Sequence, residues 1–153
     1  QQRIQQSFAE LGIDPQRLQL HGPCVHAELL DAYSEVDIAL DPFPFNGGLT
    51  TCEALWMGLP LVTAACCDLA GVMAARQGQA VLQEIGRAEW IASGESDYIS
   101  IAAELAAQPD VLKHSRKDQR ARMQGSPLCD ASGFAVAFVC ALQRRCCAAN
   151  LHQ

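Results

Sequence analysis

The stretch that decides the fold runs from Val36 to Thr63 and reads VDIALDPFPFNGGLTTCEALWMGLPLVT. It begins with a short apolar run, residues 36–40, which predicts a buried strand. A loop rich in Pro and Gly follows, and a helical pattern then begins near Leu49 or Thr50 and ends at Gly58. Residues 61–63 predict another strand. A strand, a helix and a strand in this order predict a βαβ unit with parallel strands.

The same alternation extends on both sides of this unit. The pattern predicts, in chain order, a helix over residues 2–11, a short strand over 17–20, a helix over 26–34, a mostly helical segment over 64–85, a strand over 89–92 and only helices from 96 onward. We therefore expect an α/β fold built on a parallel sheet with flanking helices, followed by C-terminal helices.

The composition is that of a globular domain that binds neither nucleic acid nor membrane. Half of the 153 residues are hydrophobic and 18% are charged, which argues against disorder. The formal net charge of −6 argues against nucleic-acid binding, which needs a basic surface. No apolar run approaches the ~20 residues of a membrane span. The polar first residues predict no signal peptide, so we expect a cytoplasmic protein.

The chain begins without Met, directly in a helical pattern of Ile4, Phe8 and Leu11. This beginning leads us to expect that the sequence is part of a longer protein.

Eight cysteines raise the possibility of disulfides or of a metal site. None forms a CxxC pair, and no His lies at zinc-finger spacing from them. We therefore expect free, buried thiols in a reducing compartment and no metal, and we disfavour a thiol or metal protein. The cysteines are Cys24, Cys52, Cys66, Cys67, Cys129, Cys140, Cys146 and Cys147.

The segment whose residues could bind a ligand is the loop after the first strand of the βαβ unit, together with the start of the helix that follows. In open parallel sheets, ligands bind at the carboxyl ends of the strands. Gly47 and Gly48 allow the backbone to approach a ligand closely, and the helix start offers unpaired N–H groups to a phosphate. Thr50 and Thr51 could add hydroxyl donors, and Glu53 could accept hydrogen bonds from a ribose diol.

Two simpler interpretations need no ligand. Thr50-x-x-Glu53 also has the spacing of a helix capping box, and Gly47-Gly48 could be only a tight turn. The segment is neither a Walker loop, since no Lys follows the glycines, nor a GxGxxG motif. On spacing alone, these alternatives stay open.

A resemblance makes the assignment more specific. The stretch from Asp37 to Gly48, continued by Thr50 to Thr63, closely resembles the signature of the SPINDLY and O-GlcNAc transferase family. Ser126-Pro127-Leu128-Cys129-Asp130, with Phe134-Ala135, resembles that family's C-terminal signature, and Asp97-Tyr98 fits the stretch between. The resemblance covers nearly the whole chain.

The resemblance implies a GT-B glycosyltransferase with two facing Rossmann-like halves, of which this chain is the C-terminal half. Residues 1–125 would form a partial UDP-sugar-binding half-domain without its first strand, and residues 126–153 a C-terminal helix and tail. The family transfers N-acetylglucosamine from UDP-N-acetylglucosamine to Ser or Thr hydroxyls of proteins, without a metal or other cofactor. Related SPINDLY proteins differ in whether they transfer N-acetylglucosamine or fucose.

The family also suggests which residues contact the donor. In it, the turn at the helix start binds the diphosphate and the acidic residue in the helix binds the ribose. His26 precedes a helix that lines the donor site in relatives, and it is either an N-terminal helix residue or a phosphate contact. The residues expected to bind the UDP-sugar are Asn46, Gly47, Gly48, Leu49, Thr50, Thr51, Glu53, His26 and Arg76.

The sequence departs from the family at several positions. Leu49 stands where bacterial relatives usually carry Thr, which removes one hydroxyl donor. The loop after Thr63 is a few residues longer than usual; Arg76 and Gly78 still match, but Ala80 replaces a Ser. The usual aromatic positions near the C-terminus are Leu142 and Cys146, which predicts weak docking of the last helix.

Parts of the family's catalytic apparatus are not found in this sequence. The donor-site Lys, the N-terminal half and the tetratricopeptide repeats would lie upstream of Gln1, and no residue here is a convincing general base. The alternative to an active transferase is therefore a non-catalytic remnant of the fold that acts as a nucleotide-binding or protein-interaction module. A basic cluster with helical spacing predicts a solvated helix face: Lys113, Arg116, Lys117, Arg120 and Arg122.

Overall fold

The structure is a computed structural model of the chain and describes residues 1–65 and 72–150. In this part, short strands alternate with helices, as the sequence predicts. The helices are α1 (Gln2–Glu10), α2 (His26–Ala32), α3 (Leu49–Trp56), α4 (Gln77–Glu84), α5 (Glu95–Ala106), α6 (Pro109–Gln124) and α7 (Ala131–Asn150), and the strands are β1 (Ala39–Leu40), β2 (Leu61–Ala64) and β3 (Ile91–Ala92).

The strands form one parallel sheet in the order β1-β2-β3. Ala39 is aligned with Leu61 at the first ladder, and Thr63 is aligned with Ile91 at the second. Helix α3 connects β1 to β2, and α4 connects β2 to β3. The predicted α/β fold with a parallel sheet and flanking helices is confirmed.

The core lies around the central strand. All four residues of β2 are buried, as expected for a strand that is covered on both faces. Leu55 and Leu59 cover it from α3 and the turn after it, and Leu82 covers it from α4; each of these three has no exposed surface. The core therefore fixes the direction of α3, whose first turn follows the glycine-rich loop.

The prediction of a strand over residues 17–20 is wrong. Asp14 accepts a hydrogen bond of 2.9 Å from the backbone N–H of Gln16, and Pro15 starts a 3₁₀ turn, Pro15–Arg17. Such an Asx turn competes with extended backbone. Within the described residues, the segment after this turn pairs with no strand.

The other predicted strands exist but are shorter. The buried strand predicted over residues 36–40 reduces to Ala39–Leu40, and Leu40 is 57% exposed because β1 is an edge strand of the described sheet. The carbonyl of Val36 accepts a hydrogen bond from the guanidinium of Arg116 and not from a neighbouring strand. The strand predicted over 89–92 is only Ile91–Ala92, because Ala88–Trp90 forms a 3₁₀ turn that buries Trp90 in the core.

The segment predicted as helical over residues 64–85 is only partly so. Ala64 ends β2, a 3₁₀ turn covers Met73–Ala75, and α4 follows. The stretch 66–71 lies outside the described residues. The helices predicted from residue 96 onward are confirmed as α5, α6 and α7, with Pro109 as the first residue of α6.

Two residues of the basic cluster, Arg116 and Arg120, bond to the end of α3, which the expectation of a solvated face does not include, although Arg120 remains exposed. Helix α3 ends at Trp56, and its last carbonyl groups lack partners within the helix. Arg120 Nε donates to the carbonyl of Trp56 at 2.9 Å, and Arg116 Nη1 donates to the carbonyl of Met57 at 3.2 Å. Ser115 Oγ donates to the carbonyl of Gly58 at 3.0 Å. Helix α6 thus caps the C-terminal end of α3.

The last helix has a largely exposed apolar face. Phe134 is 67% exposed and Phe138 is 53% exposed, and their rings stack on each other at 5.8 Å. This exposure agrees with the expectation that the last helix docks weakly.

The described cysteines are free, but the expectation that they are buried is wrong. Cys24, Cys129 and Cys146 are exposed, and Cys52 and Cys140 are half-buried. Cys129 lies in an exposed turn and Cys146 on the exposed helix α7, so neither contributes to the core. Cys66, Cys67 and the side chain of Cys147 lie outside what the structure describes.

None of the helices in the described part of the chain is long and apolar enough to cross a membrane.

Candidate functional site

The loop from Asp41 to Gly48 connects the carboxyl end of β1 to the start of α3. The backbone N–H of Asn46 donates to the carbonyl of Ala74 at 2.9 Å, which ties the loop to the turn before α4. Gly48 is the N-cap residue of α3 and has no side chain that could cap the helix. Among residues 1–65 and 72–150, no side chain accepts a hydrogen bond from the first N–H groups of α3, and free N–H groups of this kind can bind an anion.

A buried carboxylate organises this loop. Asp41 is 3% exposed; its Oδ1 accepts a hydrogen bond of 2.7 Å from the N–H of Gly47, and its Oδ2 accepts one of 2.7 Å from Thr63 Oγ1. Burial raises the pKa of the Asp41 carboxyl above its ordinary value, and the bonds from Gly47 and Thr63 partly offset that rise. Tyr98 Oη donates to the carbonyl of the same residue at 3.1 Å. Asp41 thus links the loop to β2 and α5.

Asn46 is a loop residue held inside the protein. It is 1% exposed, and its Nδ2 donates to the carbonyl of Pro42 at 3.1 Å. Its Oδ1 is buried and has no hydrogen-bond partner in the described part of the chain. The Nδ2 bond of Asn46 supports the loop, and donor binding by Asn46 stays a prediction.

The two threonines of the helix start face different surroundings. Thr51 is 2% exposed, and its Oγ1 donates to the carbonyl of Gly47 at 2.9 Å. Thr50 and Leu49 are exposed. A Cβ at Gly47 would lie 2.7 Å from Thr50 Oγ1 and 2.8 Å from Thr51 Oγ1. The glycine therefore allows both hydroxyls to lie close to the loop backbone.

The start of α4 approaches the same loop. A Cβ at Gly48 would lie 2.5 Å from Gln77 Oε1, and a Cβ at Gly78 would lie 2.2 Å from Asp41 Oδ2. Gly78 therefore has to be a glycine for α4 to pack against Asp41. Arg76, the residue before α4, is exposed and lines a separate cavity together with Met73 and Gln79.

Glu53 does not form the capping box that its spacing permits. Its Oε1 lies 2.7 Å from Nε2 of His26, the first residue of α2. The Glu53 side chain is 11% exposed, whereas that of His26 is 66% exposed. Tyr33 Oη lies nearby and donates to the carbonyl of Thr50 at 3.4 Å. The pKa of Tyr33 is raised by burial and by the carboxylate of Glu53.

The Glu53 carboxylate lines an apolar cavity of about 410 Å³. A cavity of this size is within the range of small-molecule sites. Burial raises the pKa of the Cys52 thiol on the same wall, with smaller contributions from Cys129 and Glu53. The other lining residues are His26, Leu30, Leu49, Trp56, Met123, Leu128 and Cys129.

Comparison with known proteins identifies the family. The model of glycosyl transferase family 41 matches residues 1–138. The chain belongs to glycosyltransferase family 41.

Its relatives in the family include plant and animal proteins. The chain is 39% identical over 135 residues to a probable UDP-N-acetylglucosamine–peptide N-acetylglucosaminyltransferase SPINDLY of Oryza sativa subsp. japonica, covering 87% of this chain and 14% of that protein. It is 36% identical over 137 residues to the protein of the same name from Arabidopsis thaliana, covering 88% of this chain and 14% of that protein. A UDP-N-acetylglucosamine–peptide N-acetylglucosaminyltransferase of Caenorhabditis elegans is 30% identical over 116 residues, covering 76% of this chain and 10% of the relative.

A solved structure has the same fold. A mutant of the O-GlcNAc transferase of Thermobaculum terrenum superposes with a TM-score of 0.84 at 31% identity, and the match covers 94% of this chain and 27% of that chain. The fold of this family 41 chain is therefore the Rossmann-like C-terminal half of a GT-B fold. The chain spans about one seventh of the length of the plant relatives that it matches.

In this family 41 chain, the structure brings most of the residues that the sequence predicts to bind the donor to one sheet edge. The residues from Asn46 to Thr51 form the loop and helix start, and Glu53 with His26 forms the wall of the adjacent cavity. Sequence reasoning did not identify Asp41 and Tyr98, whose hydrogen bonds hold the loop, or Gln77, whose side chain lies close to Gly48. The position of Asp41 directly after a strand was a usable signal, whereas nothing local marks Gln77 or Tyr98.

Proposed function

We propose that the enzyme to which this chain belongs transfers N-acetylglucosamine from UDP-N-acetylglucosamine to Ser or Thr hydroxyls of proteins, and that this part holds the UDP. One arrangement carries the proposal: in the described part of the chain the start of α3 has no side-chain cap, and Glu53 lies one turn further on at an apolar cavity. The names of the plant and nematode relatives supply the donor and the peptide acceptor.

The diphosphate would bind at the start of α3. The backbone N–H groups of the first turn have no acceptors within the helix, and the helix dipole favours a negative charge there. The exposed hydroxyl of Thr50 adds a donor, and Gly48 leaves room for close approach. Glu53 would accept a hydrogen bond from the ribose, with the nucleoside in the cavity beside it.

The same groups would stabilise the leaving group. Attack of the acceptor hydroxyl on the anomeric carbon forms the new C–O bond and breaks the bond between sugar and diphosphate, so that negative charge grows on UDP. The hydroxyl proton passes to a base that we assign to the rest of the parent protein. Preorganised N–H donors stabilise that charge, and one such donor is typically worth ~3 kcal/mol. The proposal assigns this task to the chain's own N–H and hydroxyl groups and requires no metal.

We propose that the acceptor-binding half of the GT-B cleft and the tetratricopeptide repeats belong to the rest of the parent protein. We also propose that the parent protein acts in the cytoplasm. Alignment of two reactants can contribute on the order of 7–11 kcal/mol to lowering a barrier. Since the chain supplies only one side of the cleft, we expect no turnover by the 153-residue chain with UDP-N-acetylglucosamine and acceptor peptides. A gain in peptide mass catalysed by the purified chain would contradict this.

Titration calorimetry with UDP and AMP tests the nucleotide site. We expect weak binding of UDP and weaker binding of AMP. Glu53→Gln should weaken UDP binding about tenfold, because it removes the charge from a carboxylate–hydroxyl bond. Glu104→Gln, at an exposed position of α5, is the matched control and should bind UDP as the parent does. Equal heats for UDP and AMP, or no heat, would refute the uridine site and favour the non-catalytic remnant.

A further inference from the structure

The carboxylate of Glu53 lies in a place where it requires a partner. Its side chain is 11% exposed and lines the cavity beside apolar residues such as Leu30, Leu49 and Trp56. A charged group removed from water is costly unless it is hydrogen-bonded. In the described part of the chain, its hydrogen-bonding partner is Nε2 of His26 at 2.7 Å.

The direction of this bond follows from the chemistry of the two groups. An ionised carboxylate can only accept, so Nε2 of His26 carries the proton and donates it. In the described part of the chain, the His26 ring bonds to Glu53 and not to its own helix, whose N-cap residue is Val25. The ring instead bridges α2 and α3, with most of its surface in solvent.

The bond occupies one of the two carboxylate oxygens. Oε1 of Glu53 accepts from His26, whereas Oε2 has no hydrogen-bond partner among residues 1–65 and 72–150. A carboxylate with one oxygen fixed by a neighbour loses the freedom to rotate about its last bond. Because Glu53 is one of the residues that line the cavity, its second oxygen is left to accept a hydrogen bond from a molecule bound there.

We infer that His26 is a positioning residue that fixes the Glu53 carboxylate so that its second oxygen accepts a hydrogen bond from the ribose diol of a uridine nucleotide. This inference rests on the proposed function, since it takes the UDP site at the start of α3 as given. It differs from the expectation that His26 contacts phosphate, because the Nε2 of His26 is directed to Glu53. Preorganisation of one side chain and one charge-assisted bond together change affinity by about tenfold.

The test compares UDP with 2′,3′-dideoxy-UDP, which keeps the base and both phosphates but lacks the ribose diol. Dissociation constants are measured by titration calorimetry for the parent chain, His26→Ala and His26→Gln. His21→Ala is the control, since His21 is also exposed but lines a different cavity. We expect the parent to prefer UDP about tenfold, and His26→Ala to reduce this preference to about threefold or less. His26→Gln, which keeps an N–H donor, should restore most of it, and His21→Ala should leave it unchanged.

Several results would overturn the inference. If the His26→Ala variant keeps the full preference for UDP over 2′,3′-dideoxy-UDP, or binds both nucleotides more weakly by the same factor, His26 acts on the phosphates or on the fold and not through Glu53. If the parent does not distinguish the two nucleotides, the ribose assignment of the proposed function fails, and the inference fails with it. A double-mutant cycle of His26→Ala and Glu53→Gln on the free energy of unfolding separates the cases. Coupling without nucleotide preference identifies a purely structural pair, and absence of coupling refutes the pair itself.

Discussion

The Oδ1 of Asp41 accepts a hydrogen bond of 2.7 Å from the backbone N–H of Gly47, so the loop after β1 folds back onto the residue that directly follows the strand. The other oxygen of the same carboxylate accepts from Thr63 in β2. One buried side chain thus sets the position of the loop relative to the central strand. Everything that we propose for the start of α3 depends on this relationship.

The first prediction concerns the pH dependence of Asp41. Burial raises the pKa of this carboxyl above its ordinary value of 3.8, so the folded state binds a proton more tightly than the unfolded state does. The stability that Asp41 contributes is therefore fully present at a pH below its ordinary pKa in the unfolded state. It is lost as the pH rises through the raised pKa of the folded state. Asp41→Asn cannot titrate. We expect the difference in unfolding free energy, parent minus variant, to be larger at about pH 4 than at about pH 7.

Urea denaturation of both proteins across this range measures the difference. A difference that grows with pH would mean that the bonds from Gly47 and Thr63 outweigh the effect of burial, and that the pKa of Asp41 is lowered in the folded protein.

The second prediction concerns Gly78, where helix propensity and packing have opposite effects. Because Gly78 lies within α4, propensity alone predicts that Gly78→Ala stabilises the protein by roughly 0.5–1 kcal/mol. A Cβ there would lie 2.2 Å from Asp41 Oδ2 and 2.6 Å from Thr63 Oγ1. We expect the clash to win and the free energy of unfolding to fall by about 1–3 kcal/mol.

Gly22→Ala is the control for Gly78→Ala, because a Cβ at Gly22 meets no atom within 4 Å. It should change the free energy of unfolding by less than about 0.5 kcal/mol. A stabilised Gly78→Ala variant would mean that Asp41 is not packed against α4.

The third prediction concerns the contact between α6 and the end of α3. Arg120 donates to the carbonyl of Trp56, and its guanidinium also lies over the Trp56 ring at 5.5 Å from the ring centre. Arg120→Ala should therefore lower the free energy of unfolding by about 1–2 kcal/mol. Lys117→Ala, at an exposed position of the same helix, should have an effect below about 0.5 kcal/mol. Equal effects of the two changes in thermal denaturation would restore the interpretation of a solvated basic face.

Features that depend on neighbouring residues could be predicted from the sequence. The end of α3 near Gly58 is one of them, because Gly58 has a φ of +90°, which favours glycine. The buried strand β2 is another, because a continuous apolar run with turn residues on both sides is typical of a strand in a parallel sheet. Both follow from chain chemistry within a few residues.

Features that depend on distant residues could not. The bonds of Arg116 and Arg120 to the end of α3 join positions about sixty residues apart, and helical spacing alone gives the same pattern for a solvated face. Thr50-x-x-Glu53 fits a capping box, but His26 provides a partner for Glu53 from another helix. In both cases a tertiary contact satisfied a polar group that local reasoning had assigned to solvent or to the helix itself.

The last prediction uses two adjacent threonines with the same hydroxyl in different surroundings. Thr51 is buried and donates to the carbonyl of Gly47, so Thr51→Ala should lower the free energy of unfolding by about 1–3 kcal/mol, whereas Thr51→Ser, which keeps the hydroxyl, should lower it less. Thr50 is exposed, and α3 has no side-chain cap bond. Thr50→Ala should therefore change stability by less than about 0.5 kcal/mol.

Binding should show the opposite order for these two positions. If the Thr50 hydroxyl donates to the diphosphate, Thr50→Ala should weaken UDP binding about three- to tenfold, because a single hydrogen bond of this kind contributes about 0.5–1.5 kcal/mol. Urea denaturation and titration calorimetry on the same protein samples separate the two effects. A Thr50→Ala variant that loses about 1 kcal/mol of stability but binds UDP as the parent does would identify Thr50 as a helix cap. The phosphate site would then have to rest on the backbone N–H groups of α3 alone.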